Sequence, residues 1–155
     1  MPESIATRLS DLGLVLPDAA APAANYVPYS IIGNTLYISG QLPLRDGSVE
    51  ATGQLASEGD IEKGQLAARL CAINILAQAK AALGGDLERI VSIAKIQGFV
   101  SSTPDFDMQH LVINGASDLL VAALGDRGKH ARAAVGMAAL PLNASVEIDA
   151  IIEID

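Results

Sequence analysis

Val146-Glu147-Ile148-Asp149-Ala150-Ile151-Ile152-Glu153-Ile154 sets apolar residues on alternate positions, with acids on most of the others. Successive side chains of a strand point to opposite faces, so Val146, Ile148, Ala150, Ile152 and Ile154 share one face and Glu147, Asp149 and Glu153 the other. A strand over Ser145 to Ile154 with one such face needs a covering layer, and two segments can supply it. From about Asp60 to Leu83, Leu66, Leu70, Ile73 and Ala77 recur at helical spacing, with Ser57 or Asp60 as cap and Gly84-Gly85 as stop. Asp105 to Leu124 repeats the pattern with Met108, Leu111, Val112, Leu119 and Ala123 inward, and Gly125 ends it.

The remaining β-rich runs are Tyr26 to Ile32 and Thr35 to Ser39, joined by the tight-turn dipeptide Gly33-Asn34, then Glu88 to Ser101 and Arg132 to Ala139. Arg45-Asp46-Gly47-Ser48 reads as a surface turn. Ser4 to Leu14 forms a short amphipathic helix, and the Ala/Pro-rich Pro17 to Ala24 is too short to be an interdomain linker. The order β-β-α-β-α-β-β after a leading helix predicts an α+β two-layer sandwich, a mixed β-sheet with two long helices on one face. One domain is expected over 1–155, with 1–24 as N-terminal helix and connector. The sheet's second face has no cover of its own, while the strands carry Ile, Val and Ala on both sides. Exposed apolar surface costs about 25 cal/mol per Å², so oligomerisation through that face is the simplest remedy, and it creates clefts between subunits.

Bulk properties narrow the partners. A net charge of −8, 3 % aromatic residues and no Trp disfavour nucleic acid, which is held by cationic surface and base stacking. The start Met1-Pro2-Glu3-Ser4 lacks a secretory pattern, and no run reaches about 18 apolar residues, so a cytoplasmic protein without membrane contact is expected. A lone Cys71 among Leu70, Ala72 and Ile73 reads as a small core residue.

Arg132 is the principal candidate for chemistry. It stands in His130-Ala131-Arg132-Ala133-Ala134-Val135-Gly136-Met137, a stretch built like a buried strand, whose small side chains offer no carboxylate. A planar guanidinium fits a carboxylate or phosphate at two points. Two readings follow: a small anionic ligand, or an ion pair with an acid from another strand or subunit. Arg127, Lys129 and His130 join Arg132 in a local basic cluster that steers an anion or is simply solvated surface. His110 and His130 are too few and too separated for a metal site, Asp105-Phe106-Asp107 reads as a helix cap, and Asn114 in the second helix either reaches the cleft or, the reading preferred, is structural. No Gly-rich phosphate loop or Ser-His-Asp arrangement is evident.

Arg132-Ala-Ala-Val-Gly-Met-Ala-Ala-Leu-Pro141 followed by Val146-Glu147-Ile148-Asp149-Ala150 resembles the C-terminal signature of the Rid family, also called YjgF/YER057c/UK114. Tyr26-Val27, Leu36-Tyr37-Ile38-Ser39-Gly40-Gln41-Leu42-Pro43, the helix with Asn74, and Asp105-Phe106 fit the same family, so the resemblance spans nearly everything from about residue 24. It implies a chorismate-mutase-like fold, a homotrimer with three clefts at subunit interfaces, and hydrolysis of reactive 2-imino acids and their enamine tautomers to 2-oxo acids and ammonia without metal or organic cofactor. By that resemblance Arg132 clamps the substrate carboxylate and Glu147 helps position the attacking water. Tyr26 lines the cleft, and Ser39 and Gly40 offer polar and backbone contacts to the ligand. On the residues alone Glu147 also fits a solvent-facing or lysine-paired role, and Tyr26 a packing role. Ala133 and Ala134 stand where imine-active members often carry Ser and Cys, and the loop Gly125 to His130 departs from the usual pattern, which points to a longer subgroup. A non-catalytic protein that senses small carboxylate metabolites such as 2-oxo acids is the alternative. Ribonuclease, a label some members carry, fits poorly with the acidic charge.

Overall fold

A computed structural model describes residues 2–155; Met1, the first residue of the expected 1–155 unit, lies outside the described residues. The elements are α1 (Ile5–Asp11), β1 (Tyr29–Ile32), β2 (Thr35–Gln41), β3 (Leu44–Arg45), β4 (Ser48–Val49), α2 (Ile61–Ala82), β5 (Ile90–Ser101), α3 (Gln109–Leu124), β6 (Ala131–Met137) and β7 (Val146–Ile154). Five strands form one sheet in the order β1-β2-β7-β5-β6, in which β5 and β6 run parallel and every other neighbour antiparallel. The mixed α+β sandwich expected from the sequence is therefore observed. The parallel pair follows from α3, which carries the chain back over the sheet between β5 and β6.

The alternating segment Val146–Ile154 is the middle strand, β7. Val146, Ile148, Ala150, Ile152 and Ile154 are buried and the residues between them are not. Their face joins Leu36 and Ile38 of β2 and Ile90, Ile93, Ile96 and Val100 of β5 in a core closed by α2 and α3. Ile5 and Leu9 bring α1 into the same core. Cys71 is fully buried there, as expected, and burial pushes its thiol pKa well up, with the nearby Glu147 carboxylate adding to the effect.

The punctuation reads well. Gly33, with φ 59°, is the first residue of a two-residue hairpin joining Ile32 to Thr35, the type II′ arrangement that Gly favours. Beyond α2, Gly85 donates its backbone N–H to Lys80 O at 2.8 Å, closing the helix end. At the other end the Asp60 carboxylate accepts from the backbone N–H of Ala56 and Ser57.

Several expectations need correction. The first strand begins at Tyr29 rather than Tyr26, because Pro28 has no N–H to give a ladder. Arg45 to Ser48 is a small hairpin of its own, β3 with β4, beyond a simple turn. Asp105-Phe106-Asp107 is not the cap of α3: the helix starts at Gln109 and its N-cap Met108 makes no side-chain bond. In α2, Leu66 is 63 % exposed and Ile73 half-buried, while Ala67, Ala68, Cys71, Ala72, Ile75, Leu76 and Ala79 face the core. The strand bearing Arg132 is not buried either. β6 is an edge strand, paired only with β5, and Ala131, Ala133 and Val135 are exposed. The uncovered sheet face mixes apolar Tyr37, Phe99, Ile151 and Val135 with Lys95, Gln97, Glu147, Asp149 and Glu153, so it is less uniformly apolar than expected. Among the described residues no helix is long and apolar enough to cross a membrane.

One close approach fixes how α2 and α3 lie together. A Cβ on Gly115 would collide with the backbone carbonyl of Gln65, its nearest carbon 2.8 Å away. Backbone cannot rotate aside as a side chain can. Gly115→Ala should therefore cost about 3 kcal/mol in overpacking against a gain of about 1 kcal/mol in helix propensity. The net of about 2 kcal/mol lowers the thermal midpoint by roughly 4–8 °C in a chain of this length, measurable by calorimetry; an unchanged midpoint would refute the crossing geometry.

Candidate functional site

The residues proposed for chemistry fall into two groups, and each group is assembled by local structure. The first surrounds Glu147. Between Ile38 and Gln41 the pairing of β2 with β7 slips, leaving Ser39-Gly40 as a bulge. Bulges re-aim side chains and bend the strand. Here the bulge lays Gly40 against Glu147, so closely that a Cβ at position 40 would run into the Glu147 carboxylate. Glycine is required for contact rather than for an unusual φ. Ser39 donates its hydroxyl hydrogen to Val27 O at 2.7 Å, and its backbone N–H bonds Pro28 O at 2.9 Å. Its proton thus holds the segment that carries Tyr26, and its oxygen keeps its capacity to accept. Tyr26 is 48 % exposed and lines a small recess together with Pro28, Gly40 and Gln41.

Glu147 is half-buried and has no ion-pair partner among the described residues. Burial raises its pKa, and Asp149, two residues along on the same face, raises it further. Asp149 is itself raised by burial, against a backbone hydrogen bond from Gln97 and the charge of Lys95 that pull the other way. A carboxyl with a raised folded-state pKa favours the protonated form in the fold, so its contribution is fully present below the ordinary carboxylate range and is lost as pH rises through the folded value. Asp149→Asn removes that loss. The variant should unfold at a higher temperature than the parent at pH 7 and at the same temperature near pH 3; a gain that persists in acid would contradict the assigned cause.

The second group surrounds Arg132. From β6 its side chain turns toward α3, where Nη1 donates to Ser117 Oγ at 3.1 Å and Nη2 to His110 O at 2.9 Å. Ser117 Oγ lies 2.8 Å from His130 Nε2, and His130 Nδ1 lies 2.6 Å from Gly128 O. Among the described residues Arg132 has no carboxylate partner, so the ion-pair reading finds no support within the chain. Two of its five N–H groups meet neutral oxygens, and the remaining three and the whole positive charge are left over. The basic cluster expected around it is dispersed. Arg127 pairs with Glu88 at 3.1 Å and Lys129 with Asp126 at 2.7 Å, leaving His130 as the member that turns inward.

Ser117 was not legible as a site residue, although a signal existed. His110, Asn114 and Ser117 follow one another at i, i+4 and i+7, a polar stripe along one side of α3. Asn114, read as structural, lies on that stripe and is half-buried.

The two groups do not meet within one chain. Arg132 is level with Ile96 and Ala150, whereas Glu147 is level with Phe99 and Val135. Two strand spacings and three residues separate their Cα atoms, about 14 Å, and the side chains leave opposite faces of the sheet.

Comparison with known proteins bears on this arrangement. Residues 6–154 match the family model described as "YjgF/chorismate mutase-like, putative endoribonuclease". The chain is 48 % identical to Protein TCP17 of Trypanosoma cruzi over 97 % of its own length and 94 % of that protein's. The crystal structure of Atu1372 from Agrobacterium tumefaciens, a protein of unknown function, is 58 % identical with a TM-score of 0.89, covering 97 % of this chain and 92 % of that one. A Shewanella oneidensis structure given the endoribonuclease description is 35 % identical with a TM-score of 0.93, covering 98 % of this chain and all of that one. With the family model spanning both the Glu147 group and the Arg132 group, this chain belongs to the YjgF, or Rid, family.

Proposed function

We propose that the protein hydrolyses 2-imino acids and their enamine tautomers to 2-oxo acids and ammonia in clefts between subunits of a homotrimer. The observation that carries this reading is the Arg132 guanidinium, oriented by two neutral acceptors and left with its charge uncompensated. A ligand carboxylate completes it. Charge-assisted two-point contacts are the strong ones, and they fix the orientation of what they hold. With the carboxylate clamped, the C=N carbon one bond away is presented to water. Glu147 takes a proton as that water adds, the carbinolamine forms, and nitrogen leaves as ammonia while the C=O bond closes. Positioning of this kind supplies several kcal/mol without further machinery. Burial and the Asp149 charge raise the pKa of Glu147, which makes it a better proton acceptor than an ordinary carboxylate.

Two features support assembly. Arg132 and Glu147 face opposite sides of one sheet, so a ligand that touches both must lie between two copies. β6 offers an edge of Ala, Val, Gly and Met with a single charge, an unprotected ladder of the kind that soluble proteins cover. In this reading the unit 1–155 acts as a whole, with its N-terminal helix and connector belonging to that unit, and works in the cytoplasm. Neither nucleic acid nor a membrane is part of the reading.

The test is direct. Purified protein added to an amino-acid oxidase and its amino acid shortens the lifetime of the transient imine if the reading holds. Unchanged decay combined with measurable 2-oxobutyrate binding would make it a carboxylate sensor instead, and cleavage of added RNA would restore the ribonuclease reading.

A further inference from the structure

We infer that Ser117 and His130 are positioning residues for Arg132, a hydrogen-bond relay of fixed direction that holds the guanidinium ready for a carboxylate. The inference rests on the reading of Arg132 as a carboxylate clamp. Its direction follows from which atoms can donate. Gly128 O can only accept, so the hydrogen between it and the ring, 2.6 Å apart, belongs to His130 Nδ1. In neutral imidazole the other nitrogen, Nε2, is then an acceptor. An arginine can only donate, so Ser117 Oγ receives a hydrogen from Arg132 Nη1 at 3.1 Å. The Ser117 hydroxyl hydrogen must therefore point to Nε2, 2.8 Å away. With a neutral ring each link has one permitted sense: Arg132 gives to Ser117, Ser117 gives to His130, and His130 gives to the Gly128 backbone.

The relay matters because of where Arg132 sits. Its strand is at the sheet edge, and arginine on an exposed edge has many rotamers to lose when it orders on a ligand. Anchoring Nη1 on Ser117 and Nη2 on His110 O removes that freedom before the ligand arrives. A carboxylate in place of Ser117 would also anchor the fork but would neutralise it. A hydroxyl, itself fixed by the imidazole, orients the fork and leaves its charge for the ligand. His130 in turn is fixed from its own backbone turn: Gly128 is buried, and a Cβ there would collide with the Leu120 carbonyl of α3. The loop Gly125 to His130 is thereby tied to α3 on one side and, through the imidazole, to the clamp on the other. This gives a purpose to a loop that departs from the family's usual pattern.

The experiment measures 2-oxobutyrate binding by calorimetric titration of the intact protein, which reads the clamp without requiring turnover. Ser117→Ala should weaken binding about tenfold, in the range seen when partners that orient a ligating group are removed. Ser117→Thr, which keeps the hydroxyl, should stay within about threefold of the parent, and His130→Phe should resemble Ser117→Ala. Nitrogen NMR of the ring should show His130 protonated at Nδ1. Parent-like binding in both Ser117→Ala and His130→Phe, equal weakening by alanine and threonine at 117, or a ring protonated at Nε2 would each overturn the inference. Absence of 2-oxobutyrate binding by the parent protein, with the tautomer as expected, would instead remove the clamp reading beneath it.

Discussion

Replacing Arg132 by lysine is expected to lower kcat/KM for 2-imino acid hydrolysis by roughly 30- to 150-fold, or about 2–3 kcal/mol, with little change in thermal stability. Lysine keeps the charge, so a loss of this size isolates the fork. An ammonium is a point donor on a flexible stem. It cannot reach Ser117 Oγ and His110 O together, as Arg132 does at 3.1 and 2.9 Å, and still offer two parallel N–H groups to a carboxylate. Each charge-assisted bond forgone is worth about 1.5–3 kcal/mol. The fold should not notice, because Arg132 is half-buried at an edge and contributes no ion pair among the described residues. Initial rates on imine generated in situ, with calorimetry of the same samples, separate the two effects. Parent-like kinetics would exclude the clamp, and a collapsed melting transition would make Arg132 a structural residue.

How much of this was legible in the sequence depends on how sharply each residue's environment differs from its neighbours'. Along β7 the two faces meet different media, so apolar and acidic residues alternate and the strand announces both itself and its buried side. α2 was easy to recognise as a helix and hard to orient. Alanine fills much of its buried side, so the exposed Leu66 weighed more in the pattern than the buried Ala67 and Ala68. β6 was misjudged as buried for a related reason: Ala, Val and Gly are tolerated at an edge as readily as inside. Its edge position is a property of the strand order, which short-range pattern does not carry.

The site shows the same division. Arg132 stands out because a cation in a run of small residues lacks an obvious partner. Gly40 looked like a source of backbone contacts, and only the slip between β2 and β7 reveals that it makes room for Glu147, more than a hundred positions later. Ser117 and His130 could not be joined to Arg132 on paper, since the link crosses from helix to strand and passes through a ring nitrogen whose role is set by a carbonyl two residues upstream.

The separation of Arg132 and Glu147 yields the second large effect. Glu147→Gln should reduce turnover by about 10²–10⁴-fold by removing the proton acceptor, and Arg132→Lys is impaired at the other group. If each cleft takes its Glu147 side from one copy and its Arg132 side from a neighbour, the two defective chains complement each other. In a closed ring assembled at random from equal amounts, a cleft receives an intact Arg132 side with probability one half and an intact Glu147 side with probability one half, so about a quarter of clefts are wholly native. Activity should then climb from near zero in each pure variant to about a quarter of the parent's in the co-refolded mixture. The alternative makes an opposite forecast: were both residues to serve one ligand from the same chain, no assembly of the two variants would contain an intact pair, and the mixture would show only the average of two poor enzymes. The opposed faces of Arg132 and Glu147 favour the first outcome, because a ligand that reached both within one chain would have to pass through the β5 ladder between them.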